Sequence, residues 1–286
     1  MRKFLVVIFV LTLSTGQAGG WPKKKGTGYF KLSEWWIIAD RHFTSQGKLD
    51  PNATRGTFVT SLYGEYGITD RLTAQVYFPM FVRTYQKAQI SGTTGEVTQE
   101  GEALNSIGDI NIGAKYGLTN KGSKYVAAAT FLLGLPTGVS QGGSDGSYQT
   151  GDGEFNQMLR FDVSRSFKLA GLPAFGNLYS GFNNRTNNFS DEVRFGAEIG
   201  IADKKRKFWL FTKLDAIESL KNGSTVASGG GESLFANNSE YLSYTFEGAY
   251  KIKDSWGVTA SYAGAFSGEI IFANPAYSVG VFLDLN

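Results

Sequence analysis

Apolar and polar residues alternate along twelve stretches of this chain, each about ten to thirteen residues long, and a period of two is the signature of strands with one apolar face. The stretches are 28–38, 57–66, 72–85, 107–118, 124–135, 155–167, 174–183, 192–201, 208–217, 241–252, 256–266 and 277–285. The phase is plain in the last, where Tyr277, Val279, Val281, Leu283 and Leu285 alternate with Ser278, Gly280 and Asp284. It is equally plain in the fourth, where Ile110, Ile112, Ala114, Tyr116 and Leu118 oppose Asp109, Asn111, Gly113 and Lys115. The connections alternate as well. Short polar turns at 68–71, 119–123, 168–173, 202–207 and 253–255 are interleaved with longer loops at 39–56, 86–106, 136–154, 184–191, 218–240 and 267–276. A soluble sandwich has no need of that strict rhythm, whereas an up-and-down membrane barrel does.

The first eighteen residues decide what the apolar faces meet. Arg2 and Lys3 form a positive start, 4–13 an apolar run, and Gly16-Gln17-Ala18 a small-residue cleavage site. That run is too short to cross a bilayer as a helix, so removal after Ala18 is expected. Nor does any later segment reach the roughly 18 consecutive apolar residues of a helical span. The sequence therefore divides into an export signal, 1–18, and one barrel, 19–286. The expected fold is all-β: a transmembrane antiparallel up-and-down β-barrel of about twelve strands in a bacterial outer membrane, with both termini periplasmic, the turns periplasmic and the loops extracellular.

Composition narrows the chemistry. With 37 Gly, 22 Phe and 14 Tyr but no Cys, the chain has neither a disulfide framework nor a thiolate site, and no lipidated cysteine to anchor it. Loss of Arg2 and Lys3 leaves the remainder close to neutral, which suggests no nucleic-acid partner. The mean hydropathy of −0.17 looks soluble. Barrel walls hide in such averages, because outward and inward residues cancel. The expected partners are outer-membrane lipid, the barrel assembly machinery during biogenesis and an unidentified small solute; no cofactor is expected.

Two strands are harder to orient. In the first, Lys31 or Glu34 must share a face with apolar neighbours, and Glu34 is expected inward, with Lys31 snorkelling to the interface. In the fifth, both faces are apolar from Val126 to Leu133 and the orientation stays open. Rings at strand ends, including Trp35, Trp36 and Trp256, suit interfacial girdles, while Trp209 falls on the inward phase. Phase places Glu65, Arg83, Asp109, Lys115, Arg160, Asp162, Glu192, Arg194, Glu198, Lys213, Asp215 and Glu247 toward the lumen. Seven acids against five bases argue for little charge selectivity. Such residues either fill a narrow interior with ion pairs or line a water path.

Catalysis has little to build on. His42 is the single histidine, so every Ser-His site depends on it, and it lies in or beside the first loop without a matching serine motif. One histidine also rules out a histidine-based metal cluster. Loop 136–154 contains Gly142-Gly143-Ser144-Asp145-Gly146 and Thr150-Gly151-Asp152-Gly153-Glu154, whose carboxylate spacing matches no calcium loop. It reads as a flexible or lumen-folding loop.

The run Gly108-Asp109-Ile110-Asn111-Ile112-Gly113-Ala114-Lys115-Tyr116, followed by Leu135-Pro136-Thr137-Gly138, resembles the outer-membrane protein family associated with phenol degradation by the meta-cleavage pathway. The ending Ser278-x-Gly280-x-x-Leu283-x-Leu285 is similar to the C-terminal signal of outer-membrane barrels, with a leucine in place of the usual terminal aromatic and Asn286 added. The family resemblance implies passive uptake of small, often hydrophobic or aromatic compounds and supplies no site residues. The alternatives are a plugged structural or partner-binding barrel and, behind it, an outer-membrane hydrolase.

Overall fold

A computed structural model describes residues 19–225 and 234–285, so the expected signal at 1–18 lies outside the described residues. The strands are β1 (Gly28–Phe43), β2 (Leu49–Gly67), β3 (Leu72–Gln86), β4 (Gln89–Ile90), β5 (Val97–Gln99), β6 (Glu102–Ser106), β7 (Ile110–Gly117) and β8 (Val126–Leu135). They continue as β9 (Asn156–Leu169), β10 (Leu172–Arg185), β11 (Glu192–Ala202), β12 (Phe208–Ser219), β13 (Glu240–Lys251), β14 (Trp256–Glu269), β15 (Ile271–Phe272) and β16 (Ala276–Leu285). Each wall strand pairs antiparallel with its neighbours in sequence, and β1 pairs with both β2 and β16, which closes the sheet. Because β6 and β7 both pair with β3 and so share one wall position, the barrel has twelve strands. Closure leaves no open edge, the condition a sheet must meet to stand in lipid.

The outer face is apolar. Leu32, Ile112, Phe131, Phe161, Leu178, Phe246 and Val281 all project from it exposed. Toward the loop end, rings on β1, β16, β14 and β13 touch in sequence: Trp36 stacks on Tyr277 at 5.9 Å, Tyr277 meets Tyr262 at 5.5 Å, and Tyr262 lies 6.2 Å from Tyr244. A ring belt at one level suits the boundary between hydrocarbon and head groups.

Three expectations about the wall are corrected. Glu34 faces outward, where it accepts a hydrogen bond from Thr60 Oγ1, and Lys31 faces inward, 3.5 Å from Glu247. Phe30, Leu32, Trp36 and Ile38 share the Glu34 face, so one carboxyl satisfied by a neighbouring hydroxyl is the smaller cost. Arg83 also faces outward, beside Asn105, whose Oδ1 accepts from its Nη1 at 3.0 Å. The cause is a bulge: Thr60 pairs with Phe81 and Ser61 with Pro79, leaving Met80 unpaired and reversing the phase of β3 beyond it. Finally, much of loop 39–56 is strand, because β1 runs on to Phe43 and β2 begins at Leu49. Pairing continues there without an apolar face, so the alternation that marks a strand is missing. His42 accordingly lies buried inside β1, opposite Asp50.

The open question of the fifth strand is answered by Ala128 and Thr130, which are buried inward, while Phe131 is exposed outward. At the opposite end the turns are tight. β9 and β10 are joined through Ala170 and Gly171 alone, at φ of 49° and 79°, the doubly left-handed geometry that matches the twist of a hairpin.

Candidate functional site

Two cavities in the interior are bounded by the described residues. The larger, about 840 Å³, reaches from the loop residues Thr150 and Asp152 down to Gly19 and is lined by Arg160, Arg194, Asn183, Trp35 and Tyr77 among others. The smaller, about 340 Å³, lies toward the turn end among Tyr29, Phe175, Trp209, Phe211, Lys213 and Glu247. Ser33, Ser61, Tyr63, Glu65 and Tyr77 border both and form the waist between them.

At the waist, β2, β3 and β7 converge on Glu65. Its Oε1 lies 2.9 Å from Lys115 Nζ and accepts from Tyr63 Oη at 2.7 Å and Gln75 Nε2 at 2.6 Å. Both members of the pair are buried, a geometry that persists only with every donor in place. On the side of the smaller cavity, Glu247 is shared by Lys31 and Lys213 at 3.5 and 3.4 Å, and Lys251 meets Asp284 at 2.8 Å. Glu198 stands opposite Lys213 in the β11–β12 register. Glu198 Oε1 and Trp209 Nε1 have no hydrogen-bond partner among the described residues, and both residues line the smaller cavity.

Higher in the barrel the pairs run along single strands. Arg160 donates through Nε and Nη2 to both oxygens of Asp162, at 2.9 and 2.7 Å, and its guanidinium lies 3.7 Å from the centre of the Tyr179 ring. Tyr179 in turn donates to Asp215 at 2.6 Å. Arg194 donates through Nε and Nη2 to one oxygen of Glu192, at 2.9 and 2.6 Å.

Asp109 serves a different purpose from the charges across the lumen. It sits in the break between β6 and β7, opposite the bulge, and its two oxygens accept the backbone N–H groups of Gly138 and Asp152, each at 2.8 Å. Loop 136–154 is thereby drawn onto the larger cavity, in agreement with its lumen-folding reading. Among the described residues no group of three or more His, Cys, Asp or Glu could hold a metal ion.

Sequence reasoning missed the hub above this loop. Arg185 donates from Nε to Glu154 at 2.6 Å, from Nη1 to Glu192 at 2.7 Å and from Nη2 to Asp152 at 3.2 Å. β10 runs on to Arg185, two residues beyond the expected end of that strand at Asn183, so its inward parity was not read. Lys251 could have been found, since it shares the parity of Glu247 on the same strand. Beside the hub, Asn222 Nδ2 donates to Asp191 at 2.8 Å, and this bond, with those from the Arg185 backbone and Asn184, holds the Asp191 carboxyl below the usual aspartate range.

The turn end is crossed by the segment that precedes β1. Gly20 N donates to Ser164 Oγ at 2.8 Å, Lys23 N to Thr73 Oγ1 at 2.7 Å, and Lys25 N to Asp70 Oδ1 at 3.1 Å. Trp21 meets Phe175 edge-on at 5.5 Å, and Phe175 packs against Trp209 and Phe211. Residues 19–25 thus strap β9 and β10 to β3 and its turn.

Neither a family model nor a curated protein matches the sequence, so the association with phenol degradation rests on its short motifs alone. Among solved structures, the chain is similar to the COG4313 outer membrane channel from Pseudomonas putida F1, with a TM-score of 0.59 at 13% identity over 95% of this chain and 100% of that one. The KdgM porin, solved with disordered oligogalacturonate, aligns at a TM-score of 0.43 and 9% identity, over 90% of this chain and 99% of its own. The likeness is one of fold, and the fold is that of an outer-membrane β-barrel.

Proposed function

We propose that this protein is an outer-membrane channel through which small solutes pass by diffusion, with the tight turns in the periplasm and the loops outside. The observation that carries the reading is the unfilled interior. Space of about 840 and 340 Å³ is surrounded by charged and hydrogen-bonding side chains inside a wall whose outer face is apolar. A barrel serving only as an anchor has no use for such space, because side chains alone can fill a small lumen.

A plugged barrel is the second reading, favoured by the strap at one mouth and the drawn-in loop at the other. Hydrolysis has less support: His42 is packed within the sheet and lines neither cavity. Planar-bilayer recording of the folded chain beginning at Gly19 separates the first two. A channel gives discrete conductance steps that grow when residues 19–25 are deleted. Silence from both forms, with folding verified by heat-modifiable migration, would leave the plugged barrel.

A further inference from the structure

The charges around the larger cavity, four acids and three bases, are unequal in reach. Arg160 and its partner Asp162 have side chains 28% and 2% exposed, and Arg194 and Glu192 are 34% and 6% exposed. In both pairs the carboxylate is buried at the wall and the guanidinium extends over it into the lumen. The field that a passing solute meets here is therefore set by arginine.

The sheet register gives the two arginines a common site. Gly181 of β10 pairs with Arg160 on one side and Arg194 on the other, so two guanidiniums on alternate strands flank a position that has no side chain. Strands lie about 4.8 Å apart, which leaves roughly 10 Å between the two Cα atoms for a small group to enter. Each guanidinium is tied by its Nε–Nη2 edge to its own carboxylate, and the Nη1 groups have no protein acceptor among the described residues. Stacking on Tyr179 fixes the Arg160 plane in advance. Next in the same row stands Thr130, paired with Arg160, buried, and with an Oγ1 that has no hydrogen-bond partner among the described residues.

Competing carboxylates in this cavity are already engaged. Glu65 is held by Lys115, Asp162 by Arg160, Asp109 by two backbone amides, and Asp152 by Arg185. Across the lumen, β1 to β3 contribute Trp35, Val59 and Tyr77, an apolar wall for the rest of a solute.

Building on the channel reading above, we propose that Arg160 and Arg194 form a binding station for the carboxylate of an organic anion with an apolar body, which rests in the larger cavity during passage. The free guanidinium edges and the Thr130 hydroxyl donate to the carboxylate, and the opposite wall covers its hydrocarbon. Charge-assisted donors held in a fixed fork discriminate carboxylate from the neutral amide of the same shape.

The test uses sodium hexanoate and its neutral match hexanamide, titrated into detergent-folded protein and followed by calorimetry. Hexanoate should bind saturably and hexanamide should not. Arg160→Gln with Asp162→Asn removes the pair without stranding a buried charge and should weaken hexanoate about tenfold, as loss of a hydrogen bond to a charged group does. Arg194→Lys keeps the charge, loses the fork and should weaken it less. Equal binding of the amide, no saturable binding of hexanoate, or unchanged affinity in the folded variants would overturn the station. Conductance on the same preparation reports separately on the channel: a silent bilayer with intact hexanoate binding removes the channel and keeps the site.

Discussion

The segments that cross the two mouths of the barrel are held by different forces. At the turn end the contacts are rings: Trp21 on Phe175, Phe175 on Trp209, and Trp209 stacked at 5.8 Å on Phe211. At the loop end they are ionic, with three carboxylates converging on Arg185 and two amides on Asp109. Most of the energy of ring packing is non-directional burial, to which the preferred ring geometries add about 0.5–1.5 kcal/mol per pair. A buried ionic cluster has one good geometry, and removing its cation leaves Asp152 and Glu154 with no counter-charge, while Glu192 keeps Arg194. The loop mouth should therefore be the stiffer of the two, and the turn mouth the one that yields.

Arg185→Met should give the largest loss. It leaves Asp152, Glu154 and Glu192 without their shared partner, at a cost of about 3–5 kcal/mol, read from the urea midpoint of heat-modifiable migration. Phe175→Ala should cost about 3 kcal/mol or slightly more and should speed hydrogen exchange at Gly20. A smaller loss from Arg185→Met than from Phe175→Ala would break the contrast between the mouths. Asp109→Asn keeps one acceptor oxygen and loses the charge, so about 1–2 kcal/mol is expected, with faster exchange at Gly138 or Asp152 while Gly20 is unchanged. The smallest effect concerns pH. Because the Asp191 carboxyl is held below its ordinary range in the fold, its contribution is complete above the unfolded pKa, near pH 4, and is lost as pH falls through the depressed value. Acidification should expose the Arg185 amide to exchange before it affects the ring cluster at the other mouth.

Much of the wall was legible in the sequence because lipid enforces alternation: the number of strands and the faces of β7 and β16 follow from parity, whereas the pairing of Arg160 with Asp162 and of Arg194 with Glu192 is seen only in the structure. What parity cannot show is an interruption of itself. The extra residue Met80 turns Arg83 outward, and nothing in the apolar pattern of β3 marks it. The facing of β1 failed for another reason: the partner that draws Lys31 inward, Glu247, stands on β13, beyond the reach of any local period. Arg185 was missed because the expected strand ends at Asn183, two residues short, and its three acids come from a loop and from a neighbouring strand's first residue.

The strap before β1 also carries a consequence for the order in which the molecule is made. Its bond from Gly20 to Ser164 joins residues 144 apart in sequence, and Trp21 rests on a ring of β10. Those partners exist as a surface only after the β9–β10 hairpin has formed, while the strand that follows the strap, β1, must still meet β16 to close the ring. The earliest described residues of the chain can thus seat only once that hairpin has formed. The contact of Trp21 with Phe175 therefore closes a long loop of chain, a cost in chain entropy that the ring packing must offset.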